Sequence, residues 1–204
     1  MKPEEGGGRR ERAKAANRQA ILDAARRVFA QLGYDAASVR DIIRCTDLAS
    51  GTFYNYFRSK EEVLEALQDD GVRRFRPILL AQLANANTLE ELIGGSVRAY
   101  LEFLAAERGE NGPLANIDPR LGNSETPEMR SIFEEVRRHI ENAMARGAAP
   151  QLDAEYFTAG AIGLVQEVGA RMCQREPMDV AATARFCTSM LLGGAALAAR
   201  EETP

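Results

Sequence analysis

The sequence predicts an all-α fold of about nine helices, with an N-terminal three-helix unit followed by a larger C-terminal helical body. Three observations carry this prediction. Apolar residues recur three and four positions apart along most of the chain, which is the spacing of one buried stripe per helix. No segment sustains the period-two alternation of a half-buried strand. Ser, Thr or Asp stands in front of most periodic segments, often followed by acidic residues, as helix starts require.

The first helix covers Asn17 to Leu32, with Ile21, Leu22, Ala25, Val28, Phe29 and Leu32 as its stripe, and Gly33 follows as a left-handed stop. The second starts at Ser38, capped with Asp41, and ends near Cys45. A third, short helix covers about Ser50 to Tyr56. Ser59-Lys60-Glu61-Glu62 opens a fourth, with Val63, Leu64, Leu67, Phe75, Leu79 and Leu83 inward. Pro77 should kink or split it. Thr88 caps a helix running to about Glu107, and the Gly- and Pro-rich stretch after it reads as a loop with one short helix near 114–117. Thr126-Pro127 starts a helix ending at Gly147. Asp153 and Asp179 cap two long final helices.

Composition narrows the function classes. With 204 residues, 45% hydrophobic and 27% charged, the chain suits one core, or a small module on a larger one. No apolar run reaches the roughly 18 residues of a membrane span, and the N-terminus lacks the apolar segment of a secretory signal, so a cytoplasmic protein without membrane contact is expected. Three scattered cysteines form no CxxC pair and fit a reducing compartment. One histidine and no tryptophan leave little material for a metal site or a histidine triad. No GxGxxG, P-loop, GxSxG or HExxH is present. Neither an enzyme nor a cofactor or metal is expected. Charge is divided unevenly. Residues 1–60 hold 12 Lys/Arg against 7 Asp/Glu, whereas residues 61–204 hold 14 against 23, within a net charge of −4. A basic N-terminal module attracts phosphate locally while the acidic body keeps the chain soluble. Arg9, Arg10, Arg12, Lys14 and Arg18 concentrate that charge.

Two short helices joined by a tight turn and braced by a preceding helix make a helix-turn-helix, whose last helix enters the DNA major groove by its N-terminal end. The residue types agree. Phe53 and Phe57 point inward, Ser50, Thr52, Asn55 and the hydroxyls of Tyr54 and Tyr56 point outward, and Gly51 permits close approach.

The ordered run Ser38-Val39-Arg40-Asp41-Ile42-Ile43, then Gly51-Thr52-Phe53-Tyr54-Asn55-Tyr56-Phe57-Arg58-Ser59-Lys60-Glu61-Glu62-Val63-Leu64, resembles the N-terminal domain of the TetR family of bacterial transcription regulators. The resemblance covers about residues 17–67. It implies that Arg40 reaches a base edge and that Ser50 and Thr52 contact bases or phosphates. It further implies that Tyr54, Tyr56, Lys60 and Ser38 contact phosphate. Arginine is chemically suited to guanine through two parallel hydrogen bonds. Three positions depart from the family pattern. Asp47 stands where glycine is common, Ala49 replaces a serine cap, and Ile43 is larger than the usual alanine.

A single recognition helix reads few base pairs, so a homodimer on a palindromic operator is expected, with half-sites about 34–36 Å apart. The last two helices carry more apolar surface than one core needs. Gly160, Leu164, Val168, Phe186, Met190, Gly194 and Leu197 are the candidate interface, and TetR-like proteins commonly pair through their last two helices. Tyr100, Phe103, Leu104, Met129, Ile132, Phe133 and Phe157 are candidates to line a pocket for a small hydrophobic effector. The loop from Gly112 to Pro119 is a candidate gate. The division expected is a basic flexible tail at 1–16, a DNA-binding domain at 17–60, and an effector-binding and dimerisation domain at 61–204. The function expected is a homodimeric repressor released from its operator by the ligand. The alternative is a dimeric DNA-binding protein whose body binds no ligand.

Overall fold

The computed structural model describes residues 5–111 and 126–201, and these form eight helices with no strand among them. They are α1 (Glu5–Leu32), α2 (Val39–Arg44), α3 (Ser50–Tyr54), α4 (Lys60–Asn85), α5 (Leu89–Asn111), α6 (Pro127–Ala145), α7 (Ala154–Cys173) and α8 (Val180–Glu201). The short helix expected near 114–117 and the expected gate at 112–119 lie outside the described residues.

Helix ends follow the local chemistry. Ser38, Ser59, Thr126 and Asp153 each accept a hydrogen bond from a backbone N–H of the first turn. Ser38 and Asp41 complete a reciprocal capping box. Thr88 caps α5 by accepting from the Glu91 N–H at 3.1 Å, and Asp179 caps α8 by accepting from the Ala182 N–H at 2.8 Å. Gly33 at φ +78° ends α1 and Gly147 at φ +70° follows α6, a backbone region that glycine enters without strain.

Three local expectations need correction. Residues 5–16, expected as part of a flexible tail, are helical and continuous with α1. Gly6-Gly7-Gly8 disfavours helix, but Arg9 to Ala20 is rich in Ala, Arg, Lys and Glu, which propagate a helix already nucleated by the packed part of α1. Helix α4 is not split at Pro77. The proline lies on the exposed side, so only one backbone bond is lost. Finally, α8 is long and apolar enough from Val180 to Ala199 to cross a membrane by length and composition. It still behaves as a two-sided helix, because Ala184, Cys187, Leu191 and Ala195 are buried on one face while Phe186, Met190 and Leu197 are exposed on another.

The buried apolar residues form two clusters. The head cluster joins Ile21, Leu22, Val28, Phe29, Ile42, Phe53 and Phe57 to Val63, Leu64 and Leu67 of α4. The body cluster gathers Phe75, Leu79 and Leu83 of α4 with residues of α5, α6, α7 and α8. Both clusters are thus built on one continuous helix, and the change-over lies between Leu67 and Phe75. Gly169 lets α7 approach α5. A Cβ there would stand 2.7 Å from Leu104 Cδ1.

Candidate DNA-reading head and effector cavity

The head presents polar side chains on apolar pins. Phe53 and Phe57 are buried beneath α3, with ring centroids 6.1 Å apart, and the Arg18 guanidinium lies 5.4 Å over the Phe57 ring. That anchoring leaves Arg40, Ser50, Gly51, Tyr54 and Asn55 exposed, and Thr52 and Tyr56 partly so. Helix α3 has no side-chain cap, because Ala49 occupies its N-cap and Ser50 does not replace it. The turn before it is ordered by Thr46 instead. Its hydroxyl donates to the Ile43 carbonyl at 2.8 Å and accepts from the Leu48 N–H at 3.3 Å. Ile43 packs partly buried at the edge of the head cluster.

Two predicted phosphate contacts are engaged elsewhere. The Lys60 ammonium donates to the main-chain carbonyls of Tyr34 (2.9 Å), Asp35 (3.2 Å) and Ala37 (3.1 Å), and lies 4.5 Å over the Tyr34 ring. An ammonium has three donors, so Lys60 here ties the start of α4 to the α1–α2 connection rather than reaching for DNA. Beside the capping box, Ser38 also donates its hydroxyl proton to Asp41, which leaves the hydroxyl no donor for phosphate. The α1 extension supplies further cations beside the head. Arg10, Lys14 and Asn17, on one face of α1, line a notch of about 330 Å³ together with Asn55 and Tyr56.

In the body, α4, α5, α6 and α7 surround a cavity of about 770 Å³, which Leu191 of α8 also touches. All seven residues chosen for a pocket line it, namely Tyr100, Phe103, Leu104, Met129, Ile132, Phe133 and Phe157. The selection missed its polar members. Ser96, Glu107 and Arg108 continue the Tyr100 stripe on α5 at helical spacing, and Arg74, Gln166 and Cys173 join from α4 and α7. Each of the first three stands four residues from a candidate on α5, Ser96 from Tyr100, Glu107 from Phe103 and Arg108 from Leu104, so the i, i+4 rule applied to polar residues finds all three. Burial pushes the Cys173 thiol up, against the lowering effect of Arg108.

A chain of ion pairs links this cavity to the head. The Arg26 guanidinium of α1, almost wholly buried, donates to Asp23 at 2.6 Å and to Asp70 of α4. The same Asp70 oxygen accepts from Arg74 Nε at 3.1 Å, and Arg74 pairs through two nitrogens with Glu107 of α5. Hydrogen bonding to Glu107 holds the Arg74 guanidinium above its usual range. Arg74 also lies 5.7 Å over the Phe103 ring, on the cavity wall.

The candidate interface residues divide into two groups. Phe186, Met190 and Leu197 are 53%, 54% and 63% exposed, and Gly160 and Gly194 are exposed beside open space. Leu164 and Val168 are partly buried against the body cluster. His139 is half-buried, with Nδ1 2.7 Å from the Glu135 carbonyl, and no cluster of metal-ligating residues occurs among the described residues.

Comparison with known proteins agrees with this architecture. The family described as "Bacterial regulatory proteins, tetR family" matches residues 21–67, the span of the head. The HTH-type transcriptional repressor KstR2 of Rhodococcus jostii is 37% identical over 90 residues, 42% of this chain and 44% of that repressor. The matched region spans less than half the length of the first curated relatives. Among solved structures, the fatty acid degradation regulator FadR of Bacillus halodurans superposes with a TM-score of 0.72 at 26% identity, covering 87% of this chain and 95% of that one. FadR of Bacillus subtilis, solved with stearoyl-CoA, gives 0.68 at 19% identity over 86% and 98% of the two chains, a likeness of fold. The head thus matches the tetR family of bacterial regulatory proteins over residues 21–67, and the all-helical chain shares the fold of FadR of Bacillus halodurans.

Proposed function

We propose that the chain is a cytoplasmic, homodimeric repressor that binds a palindromic operator and releases it when a small hydrophobic ligand enters the body. Residues 17–60 read DNA, and residues 61–204 pair the protomers and hold the ligand. One observation carries the reading. The cavity wall and the DNA-reading head share α4, and the ion pairs from Glu107 through Arg74 and Asp70 to Arg26 run along it.

Arg40 supplies base discrimination, since it is exposed and can pair with guanine in the major groove. Ser50, Thr52, Tyr54, Asn55 and Tyr56 make the remaining contacts around Gly51, where the backbone meets DNA without a side chain between. Arg10 and Lys14 add phosphate neutralisation beside Tyr56. Two copies are required because one head spans one half-site. The exposed strip of Phe186, Met190 and Leu197, flanked by Gly160 and Gly194, gives the partner an apolar ridge with room for close helix approach. Leu164 and Val168 support that face from below.

An apolar wall of this size suits a hydrophobic molecule. The fold neighbour from Bacillus subtilis holds stearoyl-CoA, which supports a ligand in the body of this chain as well. A ligand that prefers a different spacing of α4 and α5 shifts the dimer toward a form in which the heads no longer match the half-sites, with a coupling of about 1–3 kcal/mol.

The test is selection of bound sequences from random duplex, followed by a screen for molecules that release them. The expected outcome is an inverted repeat, two protomers per duplex, and at least one hydrophobic releasing compound. An inverted repeat with no releasing compound supports a body that only dimerises. No selected sequence removes the DNA reading.

A further inference from the structure

We propose that the body cavity selects a hydrophobic molecule bearing a carbonyl-type oxygen, which accepts hydrogen bonds from Ser96 and Tyr100. This rests on the reading of the body as an effector site and names the class of effector. The two residues stand one turn apart on α5, on one face of the helix, and both line the cavity.

Buried hydroxyls in folded proteins almost always have a partner. The Ser96 hydroxyl is buried and has none. A serine or threonine inside a helix ordinarily bonds the carbonyl four residues earlier, and this body uses that solution elsewhere. Thr158 donates to the Ala154 carbonyl and Thr183 to the Asp179 carbonyl, each at 2.7 Å. Ser96 makes no such bond. The Tyr100 hydroxyl likewise has no hydrogen bond among the described residues.

The tyrosine is held in place. Its ring meets Phe75 edge-on at 5.3 Å and 73°. On α7, Gly169 lies beside the ring, where a Cβ would stand at ordinary contact distance, 3.6 Å, from Tyr100 Cε1. Burial pushes the Tyr100 phenol well above the usual tyrosine range, with the nearby Cys173 adding to the effect, so it stays protonated and can donate throughout the physiological range.

The probe for a test is 6-propionyl-2-(dimethylamino)naphthalene, a hydrophobic fluorophore whose emission moves to longer wavelength when its ketone accepts a hydrogen bond. Its carbonyl-free analogue, 2-(dimethylamino)-6-propylnaphthalene, is the control. Both are titrated into the full chain and into Ser96→Ala, Tyr100→Phe and the double variant, with thermal melts showing that each variant is folded. The ketone should bind the double variant about tenfold more weakly than the parent, with emission moved to shorter wavelength. The carbonyl-free analogue should show the opposite order and bind the double variant more tightly, because it can no longer strand two hydroxyls. Equal ketone affinity and emission in all four proteins, with the carbonyl-free analogue still binding, overturns the hydroxyl pair and leaves the cavity reading standing. Absence of binding by both probes to every folded protein overturns the cavity reading and the pair together.

Discussion

The head and the body are made of similar helices but packed to different ends. In the head, Ile21, Leu22, Phe29, Ile42, Phe53 and Val63 are all at or below 1% exposure, and the polar groups at the starts of α2 and α4 are capped. In the body, the core surrounds about 770 Å³ of open space, the Ser96 hydroxyl lacks a partner, and Phe186, Met190 and Leu197 face outward. A filled core transmits strain and holds one arrangement. A core with a hole has lost contacts on one side of its lining and can settle around a guest. The head is therefore the rigid reader and the body the adaptable part, with α4 common to both.

The sharpest way to break this comparison is to make equivalent truncations in each part. Phe53→Ala should cost about 3–5 kcal/mol and abolish DNA binding. Phe103→Ala, on the cavity wall, should cost at least about 1 kcal/mol less, because one side of its ring already faces open space. Denaturant melts of both variants measure this, and equal losses would remove the contrast. Next comes the joint. Asp70→Asn should lower stability by about 1–3 kcal/mol, less than a full buried-pair loss because Arg26 keeps Asp23. It should also shrink the ratio of operator affinities without and with a releasing ligand, and an unchanged ratio would show that coupling travels elsewhere.

Gly169→Ala should destabilise the body by about 1–3 kcal/mol by forcing Leu104 aside, with the head's near-neighbour packing intact by amide exchange. Lys60→Met should cost about 1 kcal/mol of head stability and leave the salt dependence of DNA binding unchanged. Lys14→Ala should do the reverse, reducing the salt slope by about 1 with little effect on the melt. The smallest expected effect is alkaline. Burial and the hydrogen bond to Glu61 raise the Tyr34 hydroxyl from 10.0 to about 12. The folded state thus favours the protonated form. The associated stability is fully present below pH 10 and lost as pH rises toward 12, and Tyr34→Phe should remove that part of the pH dependence from the melt.

Much of the fold was legible because its signals are local. Ser38, Ser59, Thr88, Thr126, Asp153 and Asp179 cap helices where the spacing placed them, and Gly33 and Gly147 follow helices they were expected to end. The α1 extension was not legible because residues 5–16 carry no apolar stripe, and their helix is propagated from the packed part of α1. Pro77 was misjudged because the exposure of its side of α4 is not a local property. The cavity wall was half legible. Seven of its apolar members were among the pocket candidates, while Ser96, Glu107 and Arg108 on the same face of α5 were not.

The order of side chains along the chain by itself determined the helices, the apolar pins of the head and the outward face of α3, because each depends on residues within about four positions of one another. Only the tertiary structure decided what Lys60 binds, where the open space lies, and which ion pairs tie the head to the body. Those depend on meetings across the sequence. Arg26 and Asp70 are 44 residues apart, Arg74 and Glu107 are 33 apart, and Lys60 reaches carbonyls 23 to 26 residues earlier. A charged side chain carries no sign of its partner in its neighbours, so its role waits on the packing that brings the two together.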